Sequence, residues 1–512
     1  MSHATQASAR WSQLDGKRRG FIARCEQYAS LTLPKLCTPQ GYNQNSQELT
    51  HDYQSVGAQA VNHLANKLML ALFAPSRPFF RLDPNEALQK ELMAAGMTVE
   101  QLAVALAQGE ANAVKELDRM GLRPKLYEAV KNLIVLGNVL LELQKDTARV
   151  IGIKRYCTRR SASGKMLELI VRDSVEFNEL SDEVREECER QGMRVNPDTE
   201  VQHYRWIKRL ANGDYQMTQH VDKIQLSKKF NGKWSEKKMP FRVLTWDLGD
   251  DANYGTGLVE DYKGDFAGLS MLSTARIQAA ILSSEFRWLV NPAGATKPED
   301  FRDSENGAAI PGNVNDVHLV QSGKSADLAI VQAVAGDYIN RIGRGFLLGS
   351  AITRDAERVT AEEIRMQAQE LETSLGGAYS RLAIDFQMPM AYWLMAIIKM
   401  NIEGTDVEPS IVTGMDALSR GGDLDNMKMF LADCATLASI NPIVLARMKI
   451  DAIIAGFATG RRIDPGKFVK TEQEVQQEQQ QQAAAQQQQM AAQAGANAGE
   501  QIAVNRATQG QE

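Results

Sequence analysis

Residues 326 to 348 carry a narrow apolar seam: Leu328, Val331, Ala335, Tyr338, Ile342 and Gly345, spaced 3, 4, 3, 4, 3. Alternating threes and fours stay on one side of a helix, and a seam this narrow packs helix on helix. A second long helical stretch precedes it, from about Leu258 to Val290, with Tyr262, Phe266, Leu269, Ile277 and Ile281 on one face. Between the two, Asn291 to Ser325 hold Pro292, Gly294, Pro298, Gly307, Pro311, Gly312 and Gly323, which a long helix does not accommodate. The rest of the chain must therefore fit a layout of helix, small compact domain, helix.

Upstream, Val61, Leu64, Leu68 and Leu72 form one helix face between Tyr53 and Phe73, ended by Pro75 and Pro78. A second helical stretch is expected from Pro84 to Met120, and a third from Pro124, a favoured first-turn residue, to about Gly137. Val139 to Leu143 reads as a strand. From Arg149 to Trp246 short β-branched and aromatic runs alternate with turns. Asn212-Gly213 and Asn231-Gly232 both carry the dipeptide that most strongly signals a hairpin.

Downstream, Gly349 to Val359 is a polar link. Thr360-Ala-Glu-Glu363 is a capping box that starts a helix running to about Met400. Gly376-Gly377 is expected to kink this helix, and Pro389 need not end it. Another helical region runs from Leu424 to Gly460. From Thr471 to Glu512, fifteen residues are Gln, none is aromatic and Arg506 is the only base. Such a segment buries too little to offset its ordering entropy and is expected to be disordered.

Composition limits the function classes. The net charge is -5, whereas proteins that grip nucleic acid by its phosphates usually carry a basic balance. Any DNA contact must be local or weak. Cys25, Cys37, Cys157, Cys188 and Cys434 show no Cys-x-x-Cys spacing and read as buried or free thiols in a reducing compartment. No apolar run approaches the roughly 18 residues of a membrane span, and a soluble, cytoplasmic product is expected, with no membrane partner.

Catalytic motifs fail on inspection. Ser322-Gly-Lys-Ser325 resembles the end of a phosphate-binding loop, but the glycine the motif needs is His318. Gly255-Thr-Gly257 lacks its third glycine, since Glu260 stands there, and reads as a turn entering a helix. The six histidines have no metal-ligand spacing. No cofactor, metal or catalytic residue is expected. One charge pattern remains: Arg341 and Arg344 near the end of the second seam helix, and Arg354 and Arg358 in the link, with Lys324 at the start of that helix. They read either as solvated helix-end charges paired with Asp355 and Glu357, or as bases contacting passing phosphates.

Several blocks resemble the head-to-tail connector (portal) proteins of podoviruses, particularly the autographivirus type. They are Val56-Gly-Ala58, Asn62-His-Leu-Ala-Asn-Lys-Leu-Met-Leu-Ala-Leu-Phe73, Leu136-Gly-Asn-Val-Leu-Leu141, Leu289-Val-Asn-Pro-Ala-Gly294, Glu357-Arg-Val-Thr-Ala-Glu-Glu-Ile-Arg365 and Leu375-Gly-Gly-Ala-Tyr-Ser380. The similarity spans roughly residues 20 to 470 and leaves out the N-terminal tip and the Gln-rich tail.

The resemblance implies a mainly α fold with a β-rich insertion (α+β), assembling as a ring, usually of twelve subunits, at one capsid vertex. It implies a wing over residues 1–257, with the β-rich insertion at about 139–246, and a first stem helix over 258–290. The clip would be 291–325, the second stem helix 326–348 and the channel loop 349–359. A long wing helix and its connection would occupy 360–417, the crown 418–470 and the tail 471–512. Helices packed ~8–10 Å apart in a ring of twelve leave a bore of roughly 20–28 Å after one helix diameter is subtracted, enough for a duplex about 20 Å wide.

The function implied is a structural conduit through which double-stranded DNA is packaged and ejected. Its expected partners are further copies of itself, the terminase large subunit, the major capsid and scaffolding proteins, and tail adaptor proteins. Its expected location is the virion, with assembly in the host cytoplasm. The alternatives are a catalytic packaging subunit (an ATPase or nuclease) and a scaffold or tail adaptor without a bore.

Overall fold

The computed structural model describes residues 4–74, 78–84, 99–284, 287–320, 325–348, 373–400, 407–411, 428–437 and 453. The link at 349–359, the capping box at Thr360 and the Gln-rich tail lie outside the described residues, as does most of the segment proposed as crown. The chain divides into two units: residues 1–97 with 105–418, and 98–104 with 419–512. Of the second unit, the main described element is a helix over 428–437, which buries Cys434 and exposes Met429, Phe430 and Leu437.

The first unit opens with helices α1 (Ala4–Lys17), α2 (Arg19–Leu31) and α3 (Val56–Leu72). The predicted α3 face is the core face: Val61, Leu64, Leu68 and Leu72 have no exposed surface. Strand β1 (Phe80–Pro84) follows, then α4 (Val99–Arg119) and α5 (Arg123–Leu136). Pro84 was expected to begin a helix. It instead ends a strand of a two-stranded sheet, a position where its missing N–H costs little. Helix α5 packs on α3 and stops at Gly137, whose φ of 69 is the left-handed value glycine accepts cheaply.

The β-rich insertion forms two sheets. Strands β2 (Asn138–Leu143), β3 (Ala148–Ile151) and β10 (Phe241–Thr245) make a three-stranded sheet with β10 and β3 at its edges. Strands β4 (Tyr156–Arg160), β5 (Met166–Glu176), β6 (Glu200–Arg209), β7 (Tyr215–Val221) and β8 (Ile224–Gln225), with β9 (Gly232–Trp234) also on β7, make an antiparallel six-stranded sheet. Helix α1 covers one face of it, setting Trp11 among Cys157, Ile170, Tyr204 and Trp206. On the other face Arg205 links Asp173, at 2.7 Å, to Glu142 of the smaller sheet.

The turn at Asn212-Gly213 joins β6 to β7 as expected, with Gly213 at φ 90. Asn231-Gly232 does not make a hairpin. Asn231 has φ -77 and Gly232 is itself a strand residue, so the positive φ values that such a turn requires are missing. Glycine is needed there for space, because a β-carbon would sit 2.0 Å from the Trp234 ring. A helix within the insertion, α6 (Asp182–Arg190), was not anticipated. It buries Val184 and Cys188 against Phe177, Val201 and Val221.

The expected layout of helix, small domain, helix follows: α7 (Leu258–Asp261), α8 (Lys263–Ser284), β11 (Arg287–Val290), α9 (Pro298–Asp303), β12 (Val317–Val320) and α10 (Ser325–Gly345). The first long helix was expected to reach Val290. It reaches only Ser284, and Arg287–Val290 pair with Val317–Val320 as antiparallel strands. A four-residue apolar run fits either geometry, and the available partner strand decides it. Helix α11 (Gly377–Leu382) starts after Gly376, at φ 46, so the glycine pair does interrupt the helix. A π-helical turn, Ala383–Gln387, leads into α12 (Met388–Ile397). It accommodates Pro389, whose ring would otherwise press on the carbonyl of Asp385. Strand β13 (Val407–Ile411) closes the unit by pairing with β1.

All five cysteines are buried and free. Burial pushes the thiols of Cys37 and Cys188 up to about 11 and that of Cys157 to about 12. They are therefore packing groups and poor nucleophiles.

Candidate nucleic-acid interface

Helices α8 and α10 lie side by side, and their seam is built from alternating small and large residues. Along α10, Leu328, Val331, Ala335, Tyr338, Ile342 and Gly345 are all wholly or partly withdrawn from solvent, as the spacing predicts, with Gly336 and Gly343 part-covered beside them. Gly268 lies against Tyr338, and Gly345 against Tyr262: a β-carbon would approach the two rings to 2.9 and 2.2 Å. Phe346, fully buried, meets Tyr262 and Phe266 edge-on at 5.4 and 5.6 Å.

Outside this seam both helices expose apolar residues: Met271, Ile277 and Ile281 on α8, and Ile330, Val334 and Ile339 on α10. Ile277 and Ile281 had been placed on the same face as Phe266 and Leu269. The structure buries the latter two and leaves the former pair in solvent. Among the described residues, no helix is long and apolar enough to cross a membrane, so these rows are not part of a span.

Of the five basic residues singled out, Arg341 and Arg344 are described; Lys324, Arg354 and Arg358 lie outside the described residues. Arg341 turns toward α8. Its guanidinium is 3.3 Å from Asp265 and lies over the Tyr338 ring at 4.4 Å. Its charge is thus shared with a carboxylate, which favours the salt-bridge reading for this residue, with Asp265 as the partner. Arg344 is exposed and makes no ion pair among the described residues.

The end of α10 is anchored by residues whose role was not anticipated. Leu347 has φ 58, an unusual value for a branched side chain. Its carbonyl accepts from Lys67 Nζ at 3.2 Å and lies 3.1 Å from His63 Nε2. Lys67 is buried, and its charge at a helix C-terminus meets the negative end of the macrodipole. Both residues belong to the Asn62–Phe73 block, so the signal was present in the sequence as two basic side chains one turn apart on a largely apolar helix.

A second latch precedes α7. Gly137 packs against the Gly255–Gly257 turn so closely that a β-carbon would be 2.3 Å from the Thr256 carbonyl carbon. Asn138, fully buried, donates from Nδ2 to the carbonyls of Leu136 and Gly255, at 2.9 and 2.6 Å. Its Oδ1 accepts from the Gly255 N–H at 2.8 Å. The Gly-Asn of one block and the glycine turn before α7 are two halves of one joint. Together with Lys67, it ties the α8–α10 pair at its base to α3 and α5.

The family model for bacteriophage head to tail connecting proteins matches residues 4–466, which brings the N-terminal helix, left out of the resemblance above, into the similarity. The portal protein of Enterobacteria phage SP6 is 35% identical over 91% of this chain and 90% of its own length. That of Pseudomonas phage phiKMV is 32% identical over 92% and 93%, and that of Escherichia phage T7 is 31% identical over 92% and 89%. With a mainly helical α+β architecture and this extent of match, the chain belongs to the bacteriophage head-to-tail connecting protein family.

Proposed function

We propose that the chain forms a closed ring, of twelve subunits, at one vertex of a phage capsid, and that its bore carries duplex DNA during packaging and ejection. Membership of the family makes it a structural connector and not an enzyme. The observation that carries the ring reading is the pair of exposed apolar rows on α8 and α10. A helix pair that keeps Ile277, Ile281, Ile330 and Ile339 in water as a single chain has a natural use for them against neighbouring copies.

In this proposal residues 1–257 are the wing, 258–284 and 325–348 the stem, and the segment between them the clip. The link 349–359 is the channel loop, 360–417 the rest of the wing, and 418–470 the crown. The clip would meet tail adaptor proteins and the terminase large subunit, and the wing the major capsid and scaffolding proteins. Helix α10, 21 residues long, measures ~32 Å, close to one turn of DNA at about 34 Å. Arg344, Arg354, Arg358 and Lys324 are the bases proposed to meet phosphates. The overall charge of -5 suits a channel that guides DNA without holding it.

End-on images of the purified particle test this. A closed ring with a central opening of roughly 20–28 Å is expected, and a solid or open-ended particle would overturn it. ATP turnover that disappears in Lys324→Ala would instead revive a catalytic role.

A further inference from the structure

Away from the stem, two cavities of about 520 and 320 Å³ lie end to end along the edge strand β10 and helix α12. They share Lys237, Met239, Arg242, Pro389 and Tyr392, and so form one groove. The wall of the larger is basic: Arg160 from β4, Arg242 from β10, Arg381 from α11 and Lys165 from the β4–β5 turn all line it.

Their charges are poorly compensated. Arg160 donates only to the carbonyls of Gly164 and Val243, at 2.8 and 2.9 Å, and Arg242 only to that of Lys237, at 2.6 Å. Arg381 has Asp247 no nearer than 4.0 Å. The Nε atoms of Arg160 and Arg242 and one terminal nitrogen of Arg381 are buried with no hydrogen-bond partner. Of the two acids on the same wall, Glu236 pairs with Arg209 at 3.5 Å, and Asp385 makes no ion pair among the described residues. Burial pulls the guanidinium groups of Arg160 and Arg242 below their ordinary value, outweighing the opposing pull of Asp385 on both and of Glu236 on Arg242. The smaller cavity adds Lys145 and Lys238 beside the apolar surfaces of Trp234 and Trp393.

We propose that this groove docks an extended acidic segment of a partner protein, with carboxylates reaching Arg160, Arg242 and Arg381 and apolar side chains seated along Trp393 and the β10 edge. Cavities of several hundred Å³ suit side chains and small ligands. A duplex about 20 Å wide cannot enter them, and a lone phosphate would leave the apolar walls unfilled. Guanidinium groups held from three separate elements favour planar carboxylates that accept two hydrogen bonds at once.

The test uses the assembled particle and a fluorescein-labelled peptide alternating glutamate and leucine, followed by anisotropy. Saturable binding is expected that weakens about tenfold or more when glutamine replaces glutamate in the peptide. A loss of similar size is expected in Arg381→Gln or Lys165→Gln, two exposed or half-exposed positions whose change leaves the melting temperature in place. Equal affinity for the glutamine peptide overturns the proposal, as does unchanged binding in both variants. Equal competition by a short DNA duplex would make the groove a nucleic-acid site and also sink it. A change of particle mass in the two variants would show that a second copy fills the groove, which is again against a partner protein.

Discussion

The ring of Tyr338 on α10 lies across Gly268 of α8, so near that a β-carbon on the glycine would come within 2.9 Å of Cζ. The mirrored pair, Gly345 and Tyr262, is closer still at 2.2 Å. The two pairs fix how far apart α8 and α10 stand and which residues face each other.

Alanine at either glycine gains up to about 1 kcal/mol of helix propensity, while overpacking costs about 1–3 kcal/mol. Tyr262 is wedged edge-on against the fully buried Phe346 and cannot swing away. Tyr338 is part-exposed and under Arg341. Gly345→Ala is therefore expected to lower the melting temperature and to speed amide exchange along α8 and α10. Gly268→Ala is expected to be nearly neutral. Thermal melts with hydrogen exchange by mass spectrometry measure both.

Asn138→Ala removes the only side chain that satisfies the Gly255 N–H and the Gly255 carbonyl. Each buried backbone group left unpaired costs about 1–3 kcal/mol. A loss of roughly 2–4 kcal/mol in denaturant unfolding is expected, with Asn138→Asp nearly as harmful because a carboxylate cannot donate to the two carbonyls. Stability close to that of the parent chain would show that the joint before α7 is not held by this residue.

The seam that positions Tyr338 was legible because its period is written within one helix. The Asn212-Gly213 hairpin was legible for the same reason: a local backbone requirement met by local residues. What escaped was set by partners distant in sequence. Arg287–Val290 is a strand because Val317–Val320 is there to pair with it. Pro84 ends a strand because β13 returns beside it. Asn231-Gly232 carried a turn signal that the Trp234 ring overrode. The clustering of Arg160, Arg242 and Arg381 depends on three elements far apart in the chain, and no spacing rule reaches that far.

Acid sensitivity follows from the six-stranded sheet. Burial alone would raise the Asp173 carboxyl, but the hydrogen bond from Arg149 and the charges of Arg205, Arg155 and Arg149 hold it below the ordinary carboxylate value. Burial is likewise outweighed at Glu168 by Arg10, the Trp206 N–H and Arg159. A folded-state value below the unfolded one means the stabilisation is complete above the unfolded pKa of about 4 and is lost as the pH falls through the lower folded value. The contribution of these two carboxylates should be flat near neutrality and be lost below about pH 4. Asp173→Asn should cost about 3–5 kcal/mol at neutral pH and flatten that acid limb. Unfolding curves at a series of pH values show both effects.

The two arginines of α10 should separate in a salt titration of duplex binding. Each phosphate contact contributes about 0.9 to the slope of log affinity against log salt. Arg344 is exposed and unpaired among the described residues, so Arg344→Gln should reduce the slope by about 0.9 for each subunit whose arginine meets a phosphate. Arg341 is already engaged by Asp265 and Tyr338. Arg341→Gln should leave the slope unchanged and cost at most about 1 kcal/mol of stability, the usual worth of an exposed ion pair. Equally reduced slopes for the two variants would mean that the Asp265 pair opens when DNA is present, and that both arginines, not Arg344 alone, face the bore; unchanged slopes in both would remove Arg344 from the DNA contact.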